Sequence, residues 1–575
     1  MSTVESFARR FLDPACRISR LGEGELGGKA EGLVRAERVL ASRGAVATDA
    51  KLRLDVPALV VLASGFFDRF VERNGLGRLL DEGADDREIA ASFHAATITP
   101  ELVGDLLALA TDARVPLAVR SSSALEDALG HPFAGVYGTK MIPGSQPAPQ
   151  ARFAALLDAV KFVWASTWFA AARAYLAATP HRGGRERMSV IVQEVVGRGH
   201  GNRFYPDISG VARSCSFYPV GGGPPGDGVA DLAVGLGKTI VDGGRCWSFS
   251  PARPRATPPF ASVRERIAAT QSELWAVRTL GTPPYDPMAE TEYLLRVGLQ
   301  EAEADGTLDW AASTYDAAAD RLLPGTGRRG PRVVDFAPLL ARDELGLAAT
   351  LRSLLADCER EAGAPVEIEF AMTMPPREVA RCGLVQVRPL LVSSDSVPLD
   401  EAAIVAPGCV VRSRSALGNG RRSLEDVLVV DRDRFEPRAT PAIARELERL
   451  NRPLVEAGRQ SLLVGFGRWG SSDPWLGIPV RWDQISSARG IVEAALPGMS
   501  PEPSQGSHFF HNLSSFAVLY LTVPPNDEDA IDWGFLAAQP VVAMTEHVRH
   551  LRCVPPLEIA VDGRSRLGLV RREIR

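Results

Sequence analysis

The sequence predicts a multidomain chain of mixed α+β and α/β architecture, with a smaller α/β domain at its C-terminal end. Three observations carry that expectation. A length of 575 residues, at roughly 150 per domain, gives room for two to four domains. Short apolar runs alternate with amphipathic stretches through about residue 200. The segment "VSSDSVPLDE", residues 392–401, reads as a linker, and the text beyond it changes character and holds four of the eight histidines.

The elements follow in order. "VPALVVLA" (56–63) is a strand, and "FFDRFVERNGL" (66–76) is a helix closed by Gly75. "ARFAALLDAVKFVWASTWFAAARAYLAA" (151–178) is a long helix or a pair of helices, and "MSVIVQEVV" (188–196) is a β-branched strand. Residues 200–256 are rich in glycine and proline and read as strands joined by wide loops; residues 262–358 are partly helical, with a break near 323–331. "VEIEF" (366–370) and "GLVQVRPL" (383–390) form a hairpin or near-hairpin. These divisions predict domains at 1–200, 201–392 and 393–575.

Composition narrows the function. A formal net charge of −5 argues against a nucleic-acid partner, which favours a basic surface. The seven cysteines are scattered and none forms CxxC, so neither a disulfide framework nor a zinc cluster is expected, and a reducing cytoplasm fits. The N-terminal stretch lacks the apolar segment of a signal peptide, and no run approaches the roughly 18–20 apolar residues that span a bilayer. No membrane is expected.

Three stretches carry chemistry. In "LAVRSSSALED" (117–127) an apolar run stops at Arg120 and three serines. A forked guanidinium beside hydroxyls and turn amides makes an anion site; the alternative is a strand end whose Arg120 pairs with Glu126 or Asp127. In "LGGKAEGL" (26–33) two glycines let the backbone approach a ligand and Lys29 brings a point charge; the alternative is a turn with an exposed lysine. In the late strand pair, Glu367 and Glu369 share one strand face, as do Gln386 and Arg388. If the strands pair, four polar groups converge, and two carboxylates suit Mg²⁺; the alternative is a solvated face with cross-strand ion pairs. "GLGKT" (235–239) is not a P-loop, because Leu232 stands where that motif needs its first glycine.

In this order the segments resemble the nucleotide-binding domain of the phosphoenolpyruvate synthase and pyruvate phosphate dikinase family, which rifampicin phosphotransferases and a glutamine kinase also carry. "GGKAEGL" is similar to GGKGxNL, and "VRSSSALED" with "PFAGVYGT" to VRSSATAED and SFAGQxDT. "VIVQEVV" with "SGVA" is similar to VxVQxMV and SGVxFT, and "VEIEF" with "GLVQVRPL" to xDIEWA and LYLLQARP. The resemblance covers roughly residues 20–392. It implies a two-lobed ATP-grasp fold closing on Mg²⁺-bound ATP. Lys29 and Arg120 would hold phosphates, with the serines beside Arg120. Gly135 and Thr139 would line the phosphate loop, and Gln193 would sit by the adenine. Glu369 and Glu367 would hold Mg²⁺ or ribose, and Gln386 and Arg388 would contact the polyphosphate. The chain departs from the pattern at Gly138, where the family has aspartate, at "RSCSFYPVG" in place of FTRxP, and at Lys238, where GLGE becomes "GLGK".

Beyond residue 392 the text resembles a C-terminal region of uncharacterised family members. "GFGRWGSSDPWLG" (465–477) is a glycine-rich loop with Arg468 and Asp473, suited to an anionic or planar substrate or simply a tight structural turn. In "SQGSHFFHNLSSF" (504–516), His508 is a candidate to receive a phosphoryl group or act as a base, and His511 reads as a packed histidine. His547 and His550 read as a solvated helix face. The resemblance thus implies an ATP-dependent phosphotransferase in which Arg120, Arg388 and His508 act on a small-molecule acceptor. A phosphoenolpyruvate synthase proper and a non-catalytic ATP-binding protein are the alternatives.

Overall fold

Alternating apolar runs and amphipathic segments build two large mixed sheets in the first part of the chain. The computed structural model describes residues 4–43, 51–126, 135–177, 186–216, 223–256, 262–281, 283–284, 286–390, 397–471, 477–496, 518–525, 530–563 and 565–572. The chain divides into two units: residues 1–240 with 245–390, and residues 241–244 with 391–575.

In the first unit, one sheet is made by β1 (Glu5–Ser6), β2 (Ile18–Leu21), β4 (Leu59–Leu62), β5 (Leu117–Ser123), β6 (Thr139–Ile142) and β7 (Met188–Glu194), in the order β1-β2-β4-β7-β5-β6. The second is made by β3 (Leu52–Asp55), β8 (Ile208–Arg213), β9 (Val229–Ala233), β10 (Trp247–Phe249), β11 (Val366–Thr373) and β12 (Ala380–Pro389), in the order β10-β9-β8-β11-β12-β3. β3 therefore leaves its sequence neighbours and pairs in parallel with β12, some 330 residues away, so the second sheet draws on the chain's first 200 residues. The long apolar stretch at 151–178 breaks into α2 (Pro149–Ser166) and a short helix, Ala170–Ala177. The late strand pair forms as expected, antiparallel, with Glu367 opposite Arg388 and Glu369 opposite Gln386.

α1 (Gly28–Ser42) buries Ala30, Leu33, Ala36 and Val39, the stripe its period predicts. α3 (Leu347–Ala362) buries Leu347, Leu351, Leu354 and Leu355 and ends on Gly363 at φ +67°. One core cluster runs through both sheets, from Ile18, Leu59 and Ile191 to Ile208, Leu232, Val366 and Leu384. Two sheets sharing one core fix their facing edges to within a side chain's reach.

The second unit holds an α/β sheet. β13 (Asn419–Val430), α4 (Thr440–Glu456), β14 (Ser461–Phe466), β15 (Ala488–Ala494) and β16 (Leu519–Val523) give four parallel strands, and β17 (Val548–Asp562) pairs antiparallel with β13 and with β18 (Leu567–Arg572). His550 lies on β17, buried, with Nε2 2.8 Å from Asp426 Oδ1, and His547 Nδ1 is 2.9 Å from Glu446 Oε1. The expected solvated helix face is therefore corrected: residues 548–562 form a strand paired with β13, and His550 is buried in it. Among the described residues no single helix is long and apolar enough to cross a membrane.

Candidate nucleotide site

β5 is buried along its whole length: β6 and β7 pair with its edges and α1 and α2 pack against it, which explains the apolar run that precedes Arg120. The three serines do not point at open space. Ser122 Oγ donates to the Leu26 carbonyl (2.8 Å) and accepts from the Ala30 N–H (3.1 Å), so it staples the glycine turn to the strand. Ser121 Oγ donates to Glu126 Oε1 (2.8 Å), and the Ser123 N–H donates to Glu126 Oε2 (2.9 Å). The expectation that the serines wait for an anion is corrected: they are used in building the turns that hold Lys29 and Glu126.

Gly27 has φ +80°, and a Cβ there would stand 1.8 Å from the Ser122 carbonyl oxygen, so only glycine fits. That close approach places Lys29 at the first turn of α1, where Nζ meets Glu126 Oε1 (2.5 Å) and Ser121 Oγ (3.1 Å). Gly32, one turn on, lies against β12; a Cβ would come 2.1 Å from the Val387 carbonyl oxygen. α1 thus sits on the strand that carries Gln386 and Arg388. Gly27, Gly28, Glu126, Val387 and Arg388 line a cavity of about 380 Å³ at this junction.

Arg120 reaches from the first sheet to the second. Nη1 donates to the Val385 carbonyl (2.9 Å) and to Gln193 Oε1 (3.2 Å); Nη2 donates to Gln386 Oε1 (2.5 Å) and lies 3.9 Å from Glu369 Oε2. Thr139 is the direct cross-strand partner of Arg120, and its N–H donates to Glu290 Oε1. Gly135 is exposed, with φ +67°. Gln193 is buried, and among the described residues its Nε2 has no hydrogen-bond partner, although Oε1 is fixed by Arg120. A buried amide donor without a partner carries a desolvation cost that a bound acceptor would offset.

The strand carboxylates differ sharply. Glu369 keeps 14% of its side chain exposed, 3.9 Å from Arg120 and 4.0 Å from Arg388. Glu367 is fully buried: Oε1 accepts from Arg388 Nη2 (2.6 Å) and Nε (3.0 Å), and Oε2 accepts from Arg213 Nε (2.7 Å). Arg213 also donates to Asp231 Oδ2 (2.8 Å). Behind this cluster, Arg381 on β12 forks onto Glu194 of β7 and Asp55 of β3, tying the two sheets together. Burial pushes the Glu194 carboxyl upward, but the Arg381 hydrogen bonds and charge outweigh it and hold Glu194 below the usual carboxylate range.

Of the expected site residues, Arg120, Gln193, Glu367, Glu369, Gln386 and Arg388 form one contiguous cluster, with Thr139 across the strand. Lys29 joins it through Ser121 and the packing of α1 on β12. His508 and Asp473 lie outside the described residues. Arg213, Asp231 and Arg381 escaped sequence reading. The signal for Arg213 was present: it closes the strand "ISGVAR" at the point where the chain departs from the family pattern.

The two sheets bring cations and carboxylates together where Arg120 of β5 meets β12. The chain belongs to the family described as pyruvate phosphate dikinase, AMP/ATP-binding domain, whose profile matches residues 23–405. No curated protein matches the chain. It is an ATP-binding member of a phosphotransferase family.

Proposed function

We propose that the first unit is a two-lobed ATP-grasp domain that binds Mg·ATP where the two sheets meet and transfers a phosphoryl group to a small-molecule acceptor. The observation that carries this reading is Arg120, a buried cation of one sheet held by Val385 and Gln386 of the other, with Glu369 beside it. Each cation here already has an acidic partner: Lys29 has Glu126, Arg120 has Glu369 and Arg388 has Glu367. The loosest of these pairs is Arg120–Glu369, at 3.9 Å. In a metal-bound triphosphate complex Glu369 would hold the metal and Arg120 the phosphates, so both members of the pair would be satisfied.

Glu369, whose carboxylate is partly exposed and only loosely approached by Arg120, offers the hard oxygen donor that Mg²⁺ prefers and would hold the ion; Gln386 Oε1 accepts from Arg120. When bound, the ion neutralises charge on the polyphosphate. Lys29, Arg120 and Arg388 orient the phosphates and stabilise the charge that builds on the oxygens of the transferring group; positioning and electrostatics supply most of the rate in such transfers. Gln193 Nε2 would donate to a ring nitrogen or carbonyl of the base. Gly135 and Thr139 flank the phosphates. His508, in the 393–575 region, is the proposed way-station for a two-step path releasing AMP and phosphate; direct transfer releases ADP. The scattered cysteines, none of them in a CxxC, fit a reducing cytoplasm.

The test resolves ADP, AMP and phosphate after incubation with ATP and Mg²⁺, with and without candidate acceptors. Glu369→Ala is expected to lose about 10²–10³-fold in turnover. Equal turnover by wild type and variant would count against the site.

A further inference from the structure

We infer that Glu367 is not a metal ligand but the anchor of Arg388, that Arg213 is the positioning residue completing that anchor, and that Glu369 is the one carboxylate of β11 left for a divalent cation. The inference rests on the ATP-site assignment above.

The register of three strands carries it. Glu367 and Glu369 share a face of β11, but their cross-strand neighbours differ. Glu367 stands between Arg213 on β8 and Arg388 on β12; Glu369 stands between Val211 on β8 and Gln386 on β12. Glu367 is clamped at 2.6–3.0 Å by guanidinium groups from both flanks, whereas Glu369 has an apolar neighbour and a neutral amide across the strands and is approached by Arg120 and Arg388 only at 3.9 and 4.0 Å, with no hydrogen bond to either among the described residues. Both Glu367 oxygens accept charge-assisted bonds of 2.6–3.0 Å, and the residue is fully buried. Asp231, also fully buried, takes the other arm of Arg213 and accepts from Ser248 Oγ as well. Two guanidinium groups and two carboxylates make a charge-balanced quartet. To ligate a cation, Glu367 would have to release a buried guanidinium and place a divalent charge beside two arginines, which like-charge repulsion and desolvation both oppose.

Arg213 and Glu367 lie directly opposite each other on β8 and β11. Together they hold Arg388, 2% exposed, in one orientation with its guanidinium 4.0 Å from Glu369.

The experiment measures the affinity of the full chain for the ATP analogue AMP-PNP by titration calorimetry across a series of Mg²⁺ concentrations, with melting temperatures alongside. It needs no turnover and no known acceptor. Glu369→Gln is expected to raise the Mg²⁺ midpoint at least about tenfold. Glu367→Gln, which keeps the shape of the side chain, is expected to leave that midpoint within about twofold while weakening the analogue at saturating Mg²⁺ about tenfold, because Arg388 loses its anchor. Arg213→Met should behave as Glu367→Gln, and Arg213→Lys should recover part of the affinity; a merely structural arginine would lower the melting temperature and leave this split unmoved. If Arg213→Met fails to fold, the isosteric Glu367→Gln variant still decides. An equal rise in the Mg²⁺ midpoint for Glu367→Gln and Glu369→Gln overturns the inference alone. Absence of Mg²⁺-dependent AMP-PNP binding by wild type overturns the ATP-site assignment and the inference with it.

Discussion

Lys29 is held by an acid that a phosphate can replace. Its Nζ sits on Glu126 and Ser121, and the side chain is 11% exposed. Glu126 in turn is tied by Ser121, by the Ser123 N–H and, through its own N–H, by Ser123 Oγ, so the acid cannot follow the lysine far. Lys29→Met is therefore expected to weaken AMP-PNP by about tenfold or more, measured by titration. It should also lower the melting temperature, because it leaves a buried carboxylate without its cation. An unchanged affinity would remove Lys29 from the site. At this scale the sequence shows Lys29, Arg120, Gln193, Glu369, Gln386 and Arg388 as polar groups interrupting apolar runs, and the fold brings Arg120, Gln193, Glu369, Gln386 and Arg388 together. The serines misled, because a hydroxyl that caps a turn and one that binds an anion look the same in a sequence. The spacing of Glu367 from Glu369 predicts a shared face correctly, but not which neighbour the next strand supplies.

Strands and their joints show where local reading stops. The pairing of β11 with β12 was legible because the two lie close in sequence and alternate polar with apolar residues. The insertion of β3 beside β12 was not, since a parallel pairing across hundreds of residues leaves no local trace. The same holds for Arg381, whose fork onto Glu194 and Asp55 spans both sheets. Its consequence is a pH dependence. The folded Glu194 carboxyl lies below its ordinary value, since the Arg381 bonds outweigh burial, so folding favours its ionised form. That contribution is present in full above the unfolded value, about 4.3, and is lost as pH falls through the folded one. Glu194→Gln should lower the urea midpoint at pH 7 and flatten its further fall between pH 5 and pH 3. A variant with the wild-type slope would show that the joint does not sense acid.

At the scale of the molecule, the family assignment covers residues 23–405, and the site cluster falls inside it. The order of the motifs made that region legible, because widely spaced segments that must each contact one ligand constrain one another. The second unit was readable only as an α/β unit: its helix α4 between parallel strands β13 and β14 follows from period and length, but no motif in it names a ligand. The central claim is that Mg·ATP lies where the two sheets of the first unit meet. A crystal structure of the full chain with Mg²⁺ and AMP-PNP tests it most directly. The account predicts the triphosphate in contact with Lys29, Arg120 and Arg388, the ion on Glu369, and Glu367 still clamped by Arg213 and Arg388. A nucleotide bound elsewhere, or bound here without contact to Arg120, would contradict it.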